Sequence, residues 1–160
     1  MTEIELTRGK VALIDDEDWP LVSGYKWSAK SCRGLWYAQA NTRLADGRGT
    51  MILMHRLLLG LTDPKVHVDH ADMDGLNNRR ANIRPCGHNE NMRNRGAFSR
   101  NTSGFKGVTW EKAASKWRAQ IYLNGKNRHL GLFVTPEEAH QAYCQAAVEF
   151  YGEFANCGIA

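Results

Sequence analysis

The sequence predicts an α+β chain, and its own layout supplies the reason. Short strand-like runs broken by turn residues fill positions 1–53, and a strand–loop–strand–helix order follows from Val66. The last third then holds three strand-like runs ahead of one well-capped helix. The boundaries expected are a β-rich N-terminal segment over 1–53, a compact core over 54–95, a linker over 96–102 and a C-terminal module over 103–158.

In the N-terminal segment the β-like runs are Lys10 to Ile14, Leu35 to Asn41 and Thr50 to Arg56, with Asp46-Gly47 as the turn before the last of them. Asp15, Asp16, Glu17 and Asp18 follow the first run. Four consecutive carboxylates cannot all converge on one ion, so a solvated turn is expected there rather than a metal site. The run VHVDH (Val66 to His70) reads as a strand, a polar loop continues to Asn82, IRPC (Ile83 to Cys86) returns, and a helix is expected to begin near Gly87 or His88. RNRGAFSRNT, from Arg93 to Thr102, has neither helical nor strand periodicity and reads as a linker.

The C-terminal pattern is sharper. KGVTW, KWRAQIYL and NRHLGLF are strand-like, and Asn124-Gly125 between the last two is a two-residue hairpin signal. Thr135-Pro136-Glu137-Glu138 offers a helix N-cap, a proline at the first helical position and a capping-box glutamate. Ala139, Ala142, Tyr143, Ala146 and Phe150 are expected on one face of that helix, and Gly152 is positioned to stop it.

Charge is unevenly spread over the 160 residues. The window from Leu76 to Leu130 holds 12 Lys or Arg against 2 acids, so it carries +10 while the remainder carries −6. Trp110, Trp117 and Tyr122 are interleaved with those cations. A basic, aromatic stretch suits a phosphate backbone, because each neutralised phosphate releases condensed counterions. Cys32, Cys86, Cys144 and Cys157 lie far apart with no C-x-x-C pair, which argues against a zinc ribbon or a disulfide framework and for reduced thiols. MTEIELTRGK lacks the apolar run of a secretory signal, and no stretch approaches the roughly 18 apolar residues of a membrane span. A cytoplasmic protein is expected.

The segment VHVDHADMDGLNNRRANIRPCGHNENMRN concentrates residues that do chemistry on phosphates. Eleven residues separate His70 from Asn82 and eight separate Asn82 from Asn91. Hydrolysing a phosphodiester requires an activated water, a cation on the phosphate oxygens and stabilisation of the leaving oxygen. Imidazole titrates in the range where a base must work, and Asp or Asn oxygens suit Mg²⁺ or Mn²⁺ better than zinc. From Met54 to Asn94 the chain resembles HNH homing-type endonucleases through MHRLLLG, the Asp69-His70 pair, NNRRANIR and a final helical Asn. That resemblance implies a ββα-metal core in which His70 is the general base, Asp69 and Asn91 are metal ligands and Asn82 pins the loop. Mg²⁺ is the expected cofactor, with Mn²⁺ as the other fit. His55 reads as a packing or supporting residue, His67 alternates with Asp69 along the strand, and His88 stands three residues before Asn91 as another candidate ligand.

Residues Ser103 to Ala155 resemble the APETALA2 and ethylene-response-factor DNA-binding domain through SGFKGVTW, KWRAQIYLNGKNRHLGLF and TPEEAHQAYCQAAVEFYG. In that family a three-stranded antiparallel sheet packs on one helix and lies in the major groove. Strand alternation puts Trp117, Ala119, Ile121 and Leu123 on one side and Lys116, Arg118, Gln120 and Tyr122 on the other. The second set is expected to face DNA, and the family positions add Lys106, Thr109, Glu111, Asn127 and His129. Trp117 is expected in the core against Ala142 and Tyr143.

Together the resemblances imply a metal-dependent endonuclease of phage or mobile-element type, leaving 5′-phosphate and 3′-hydroxyl ends. Double-stranded DNA is the expected partner, with no membrane and no small-molecule substrate, and the chain is expected to act as a monomer or weak dimer. The rival class is a non-catalytic DNA-binding transcriptional regulator with a degenerate nuclease core.

Overall fold

A computed structural model describes residues 1–32, 34–94, 96 and 101–158. Most of the 96–102 linker, together with Arg95 and Arg100 of the basic window, lies outside the described residues. The chain is α+β, with several small antiparallel sheets and few helices, and it divides into two compact units after His88.

In the first unit, β1 (Thr2–Glu5) pairs antiparallel with β2 (Val11–Ile14). A turn over Asp16–Asp18 leads into the short helix α1 (Trp19–Val22). The strands β3 (Trp27–Cys32), β4 (Leu35–Arg43) and β5 (Gly49–Leu53) form a meander. Helix α2 (Met54–Leu58) follows directly, so the run expected as a strand to Arg56 turns helical at Met54. The reason is packing: Met54, His55 and Leu58 are all buried, and one helical face can hold all three, whereas a strand would turn the neighbours Met54 and His55 to opposite sides. A two-stranded hairpin, β6 (His67–His70) and β7 (Ile83–Cys86), completes the unit.

One apolar core joins these pieces. Ala12 and Ile14 from β2, Val22, Trp27, Ala29, Ala38 and Ala40, Met54 and Leu58, and Leu76 and Ile83 pack together. The acidic turn expected to be solvated is partly structural. Asp18 is only 1% exposed and accepts from the Arg80 guanidinium at 2.6, 3.0 and 3.1 Å, while Asp15 accepts from the Arg80 backbone N–H at 2.8 Å. Only the middle of this acidic run, Asp16 and Glu17, is exposed as expected. These contacts tie the loop between β6 and β7 to the N-terminal strands, as does the backbone exchange of Leu13 with Leu76 and Asn78.

Helix α3 (His88–Arg93) starts at one of the two positions the sequence indicated. The second unit, from Asn89 onward, holds β8 (Val108–Glu111), β9 (Lys116–Leu123), β10 (Lys126–Phe133) and helix α4 (Pro136–Tyr151). The sheet is antiparallel with β9 central, and Asn124 and Gly125 both take the positive φ that their two-residue turn demands. Thr135 accepts from the Glu138 N–H at 3.2 Å and Glu138 reaches back to the Thr135 N–H at 3.3 Å, which is the expected capping box. The buried stripe of α4 is Ala139, His140, Tyr143, Ala146, Ala147 and Tyr151. Phe150 is on its exposed side, because the face rotates toward Ala147 and Tyr151 to follow Ile121 and Leu123. Trp117 is half-buried near Ala142 and meets Trp110 edge-on, with ring centroids 5.0 Å apart.

Candidate active site and nucleic-acid interface

The hairpin β6–β7 brings Asp69, His70 and Asn82 together in the first unit, whereas Asn91 falls on the part of α3 that belongs to the second. Within β6, neighbours alternate in direction. Asp69 stands opposite Arg84 and accepts its Nε–H and Nη2–H on Oδ2 at 2.9 and 2.7 Å. His70 instead packs against His55 and Tyr37, with ring centroids 5.1 and 5.9 Å away, and His55 meets Tyr37 at 5.9 Å. All three ring pairs are edge-on.

Burial sets the electrostatics of this ring cluster. His55 is pushed down to about 3, chiefly by desolvation and further by its neighbours His70 and Arg56. His70 is also lowered by burial, although Asn78 and the carboxylates of Asp72, Asp69 and Asp74 pull the other way. Both imidazoles are therefore neutral near pH 7, the state in which an imidazole can accept a proton. Desolvation raises the Tyr37 hydroxyl above its ordinary value, with Asp69 among the contributing charges. His55 Nδ1 is buried without a hydrogen-bond partner among the described residues.

The loop from Ala71 to Asn82 is held by its own polar side chains. Asn82 Nδ2 donates to Asp72 Oδ1 at 2.9 Å and to the Asn77 carbonyl at 2.7 Å, and its Oδ1 accepts from the Asp72 N–H at 3.0 Å. Asn77 Nδ2 donates to Asp72 Oδ2 at 2.6 Å, and the carboxylates of Asp72 and Asp74 accept from backbone N–H groups two residues on. Burial would raise Asp72, but the hydrogen bonds from Asn77, Asp74 and Asn82 bring it below the usual carboxylate range. Gly75 is required where the loop crosses β4: a Cβ there would meet the Trp36 carbonyl and stand 2.6 Å from the Tyr37 ring. Tyr37 was not singled out by its sequence, since alternation along β4 marks it only as facing away from Ala38 and Ala40. His67 and His88 approach each other, with centroids 5.4 Å apart. No cluster of three His, Cys, Asp or Glu suited to a metal is present among the described residues.

In the second unit the register aligns most of the predicted DNA-facing set. Thr109 pairs with Arg118, Glu111 with Lys116, Tyr122 with Asn127 and Gln120 with His129, and cross-strand partners share a face. That face is open, with Tyr122 60% exposed, and Arg118 Nη1 donates to Glu111 at 2.9 Å across it. Lys106 stands apart. Its ammonium donates to the carbonyls of Arg93 at 2.7 Å and Asn156 at 3.0 Å, lies 5.9 Å from the Tyr143 ring, and is lowered by burial to about 8. Such contacts make Lys106 an internal tie of the unit.

Similarity to known proteins extends over most of the chain. The chain is 30% identical over 149 residues to an uncharacterized HNH endonuclease of Acanthamoeba polyphaga mimivirus, spanning 92% of this chain and 74% of the relative. It is 32% identical over 90 residues to Protein 3.8 of Escherichia phage T7, covering 56% of this chain and 74% of that protein. A 57-residue stretch, 34% of the chain, is 42% identical to an AP2-like ethylene-responsive transcription factor of Arabidopsis thaliana, of which it spans 11%. No family model matches the chain, and no solved structure matches it.

Proposed function

We propose, from the premise that this chain belongs to the HNH endonuclease family, that it is a divalent-metal-dependent DNA endonuclease of phage or mobile-element type which its AP2-like segment holds on duplex DNA. The observation that carries the proposal is a neutral, buried His70 at the end of a hairpin whose loop is pinned by Asn82. His70 takes the proton of the attacking water, and the Asn82 hydrogen bonds keep the loop, and with it the end of β6, in one geometry. Asp69 offers a buried carboxylate oxygen and the family pattern adds the Asn91 amide oxygen, hard donors that fit Mg²⁺ in a ββα-metal arrangement. Such a cation, when bound, would neutralise charge on the scissile phosphate and the leaving 3′ oxygen. Arg84 orients Asp69 through two charge-assisted hydrogen bonds. The products are 5′-phosphate and 3′-hydroxyl ends.

DNA binding falls to the open sheet face, where Thr109, Lys116, Arg118, Gln120, Tyr122, Asn127 and His129 present donors, acceptors and one aromatic ring. A second reading, a regulator that binds DNA without cutting, draws on the higher identity of the shorter segment to plant transcription factors. One experiment separates them. Incubated with supercoiled plasmid, the protein relaxes or linearises it in Mg²⁺ and not in EDTA, and His70→Ala lowers the rate by about 10² to 10⁴ while DNA affinity stays at the wild-type value. A wild-type protein that binds the plasmid tightly and leaves it intact in Mg²⁺ or Mn²⁺ establishes the regulator instead.

A further inference from the structure

The far end of the second unit holds a cavity whose cations, unlike the Asn127 in its lining, have no part in DNA reading by the sheet. Arg93, Leu123, Asn124, Lys126, Asn127, Arg128 and Phe150 line about 510 Å³. Register decides which way it opens. Lys126 pairs with Leu123 and Arg128 with Ile121, and Ile121 and Leu123 pack toward α4, so both cations share the helix side of the sheet. Asn127 and His129 alternate to the opposite, reading side. Both guanidinium groups of the lining stand over rings: Arg128 lies 5.3 Å from the Phe150 centroid and Arg93 lies 5.0 Å from that of Tyr151. A guanidinium resting against an aromatic ring is partly preorganised, and its planar fork of N–H donors suits phosphate oxygens. No carboxylate is among the lining residues; Glu149 and Glu153, the nearest acids along the helix end, are not part of the lining.

We infer that this cavity, lined by Arg93, Lys126 and Arg128, is a second nucleic-acid phosphate site, engaging a phosphate from the side opposite the base-reading face. The inference rests on the DNA-binding reading above and deepens it. The module then holds two phosphate tracks, one flanking the groove read by the sheet and one at the hairpin tip. The chemistry is that of a phosphate oxyanion, either an internal diester or the 5′-monoester that cleavage exposes. The same cations also complement the carbonyl end of α4, and such a role needs no ligand.

The test compares full-length protein with the Lys126→Gln/Arg128→Gln double variant in salt titrations of binding to one duplex, with and without a 5′-phosphate. Two lost contacts flatten the slope of log affinity against log salt by about 1.8 and weaken binding roughly 60-fold at 0.1 M salt, since each contact contributes a slope of about 0.9. Sequence preference stays as in the wild type, whereas Arg118→Ala, on the reading face, relaxes it. A loss seen only with the phosphorylated duplex assigns the site to the terminal monoester; an equal loss with both assigns it to an internal diester. A double variant with wild-type slope and affinity, its only change a lower melting temperature, reduces these cations to helix-end partners and overturns the inference. An independent arm follows the Arg93 and Arg128 Nε resonances of the wild type in millimolar inorganic phosphate against chloride of equal ionic strength. Saturable shifts at both support the site even if the protein proves not to bind duplex DNA, the result that would remove the main reading; no shift at either overturns it.

Discussion

Acid should unfold the first unit through His55, and replacing His55 with Phe should remove that sensitivity. Buried against His70 and Tyr37, His55 takes its proton only near about 3 in the fold, against 6.5 in an unperturbed chain. Between those values the unfolded state binds more protons than the native state. Stability is therefore fully present above about 6.5 and declines as pH falls toward about 3. The decline is worth about 1.4 kcal/mol per pH unit for one proton, so at a pH of about 4.5 it amounts to roughly 2.7 kcal/mol. That is a large part of a typical total of about 5–15 kcal/mol. His70 is lowered in the same direction and steepens the wild-type profile further. His55→Phe keeps a ring in the cluster and removes one titrating group. The assay is urea unfolding at neutral pH and near pH 4.5, followed by the Trp27 indole resonance, whose N–H donates to the buried Val22 carbonyl at 2.9 Å. The variant should lose about 2–3 kcal/mol less than wild type between the two conditions. Parallel profiles for the two proteins would show that the fold does not exclude the His55 proton.

Gly75→Ala should cost about 1–3 kcal/mol, because the added methyl meets the Trp36 carbonyl and the Tyr37 ring and must displace the loop that Asn82 pins. A lowered melting temperature together with shifted Tyr37 ring resonances is the expected result, and an unchanged pair would mean that the loop does not press on β4. Arg80→Met should destabilise the first unit by roughly 1–3 kcal/mol: it leaves the Asp18 carboxylate buried without its guanidinium, a loss moderated by the partial exposure of Arg80. Pairing this change with Asp18→Leu should restore much of the loss, and a double variant as weak as the sum of the single ones would argue against a coupled pair.

Local signals were legible where one element decides its own shape. The run KWRAQIYL became β9 residue for residue, because its alternation and the Asn124-Gly125 turn both point to one register. The cap of α4 was readable for the same reason, being written in four consecutive residues. Features set by distant partners were not. Trp27–Cys32 pairs with a strand expected in part, yet its run WSAKSC has no β-branched residue to mark it, and Thr2–Glu5, though it carries Thr2 and Ile4, is too short to stand out without its partner β2. Asp18 looked like one of four solvated acids until Arg80, 62 residues away, came to neutralise it. The ring contacts of Tyr37 and His55 with His70 depend on how β4, α2 and β6 pack, which no spacing along the chain encodes. Lys106 carried the charge expected of a DNA contact, and only the fold reveals that two carbonyls of its own unit take its hydrogen bonds.

On the proposed function, the two units would divide the work by how firmly their side chains are held. In the first, Asn77, Asn78, Asn82, His55, Asp69 and His70 are buried polar groups, and the loop that carries the middle of the motif is fixed by side-chain hydrogen bonds. Buried polar networks of this kind are costly unless satisfied, so they are retained where one geometry must hold before the substrate arrives. A water to be activated by His70 needs that preorganisation, because misplacing the base by about 1 Å can cost on the order of 10² in rate. On the reading face of the second unit the long side chains stand in water, with Lys116, Tyr122, Asn127 and His129 all exposed. Ordering such side chains on DNA costs rotamer freedom of roughly 0.5–1.5 kcal/mol each, which phosphate contacts must offset. On the proposed function, recognition on that sheet would adapt to sequence by moving side chains, while the chemistry at His70 would be held by a loop whose hydrogen bonds leave it little freedom to move.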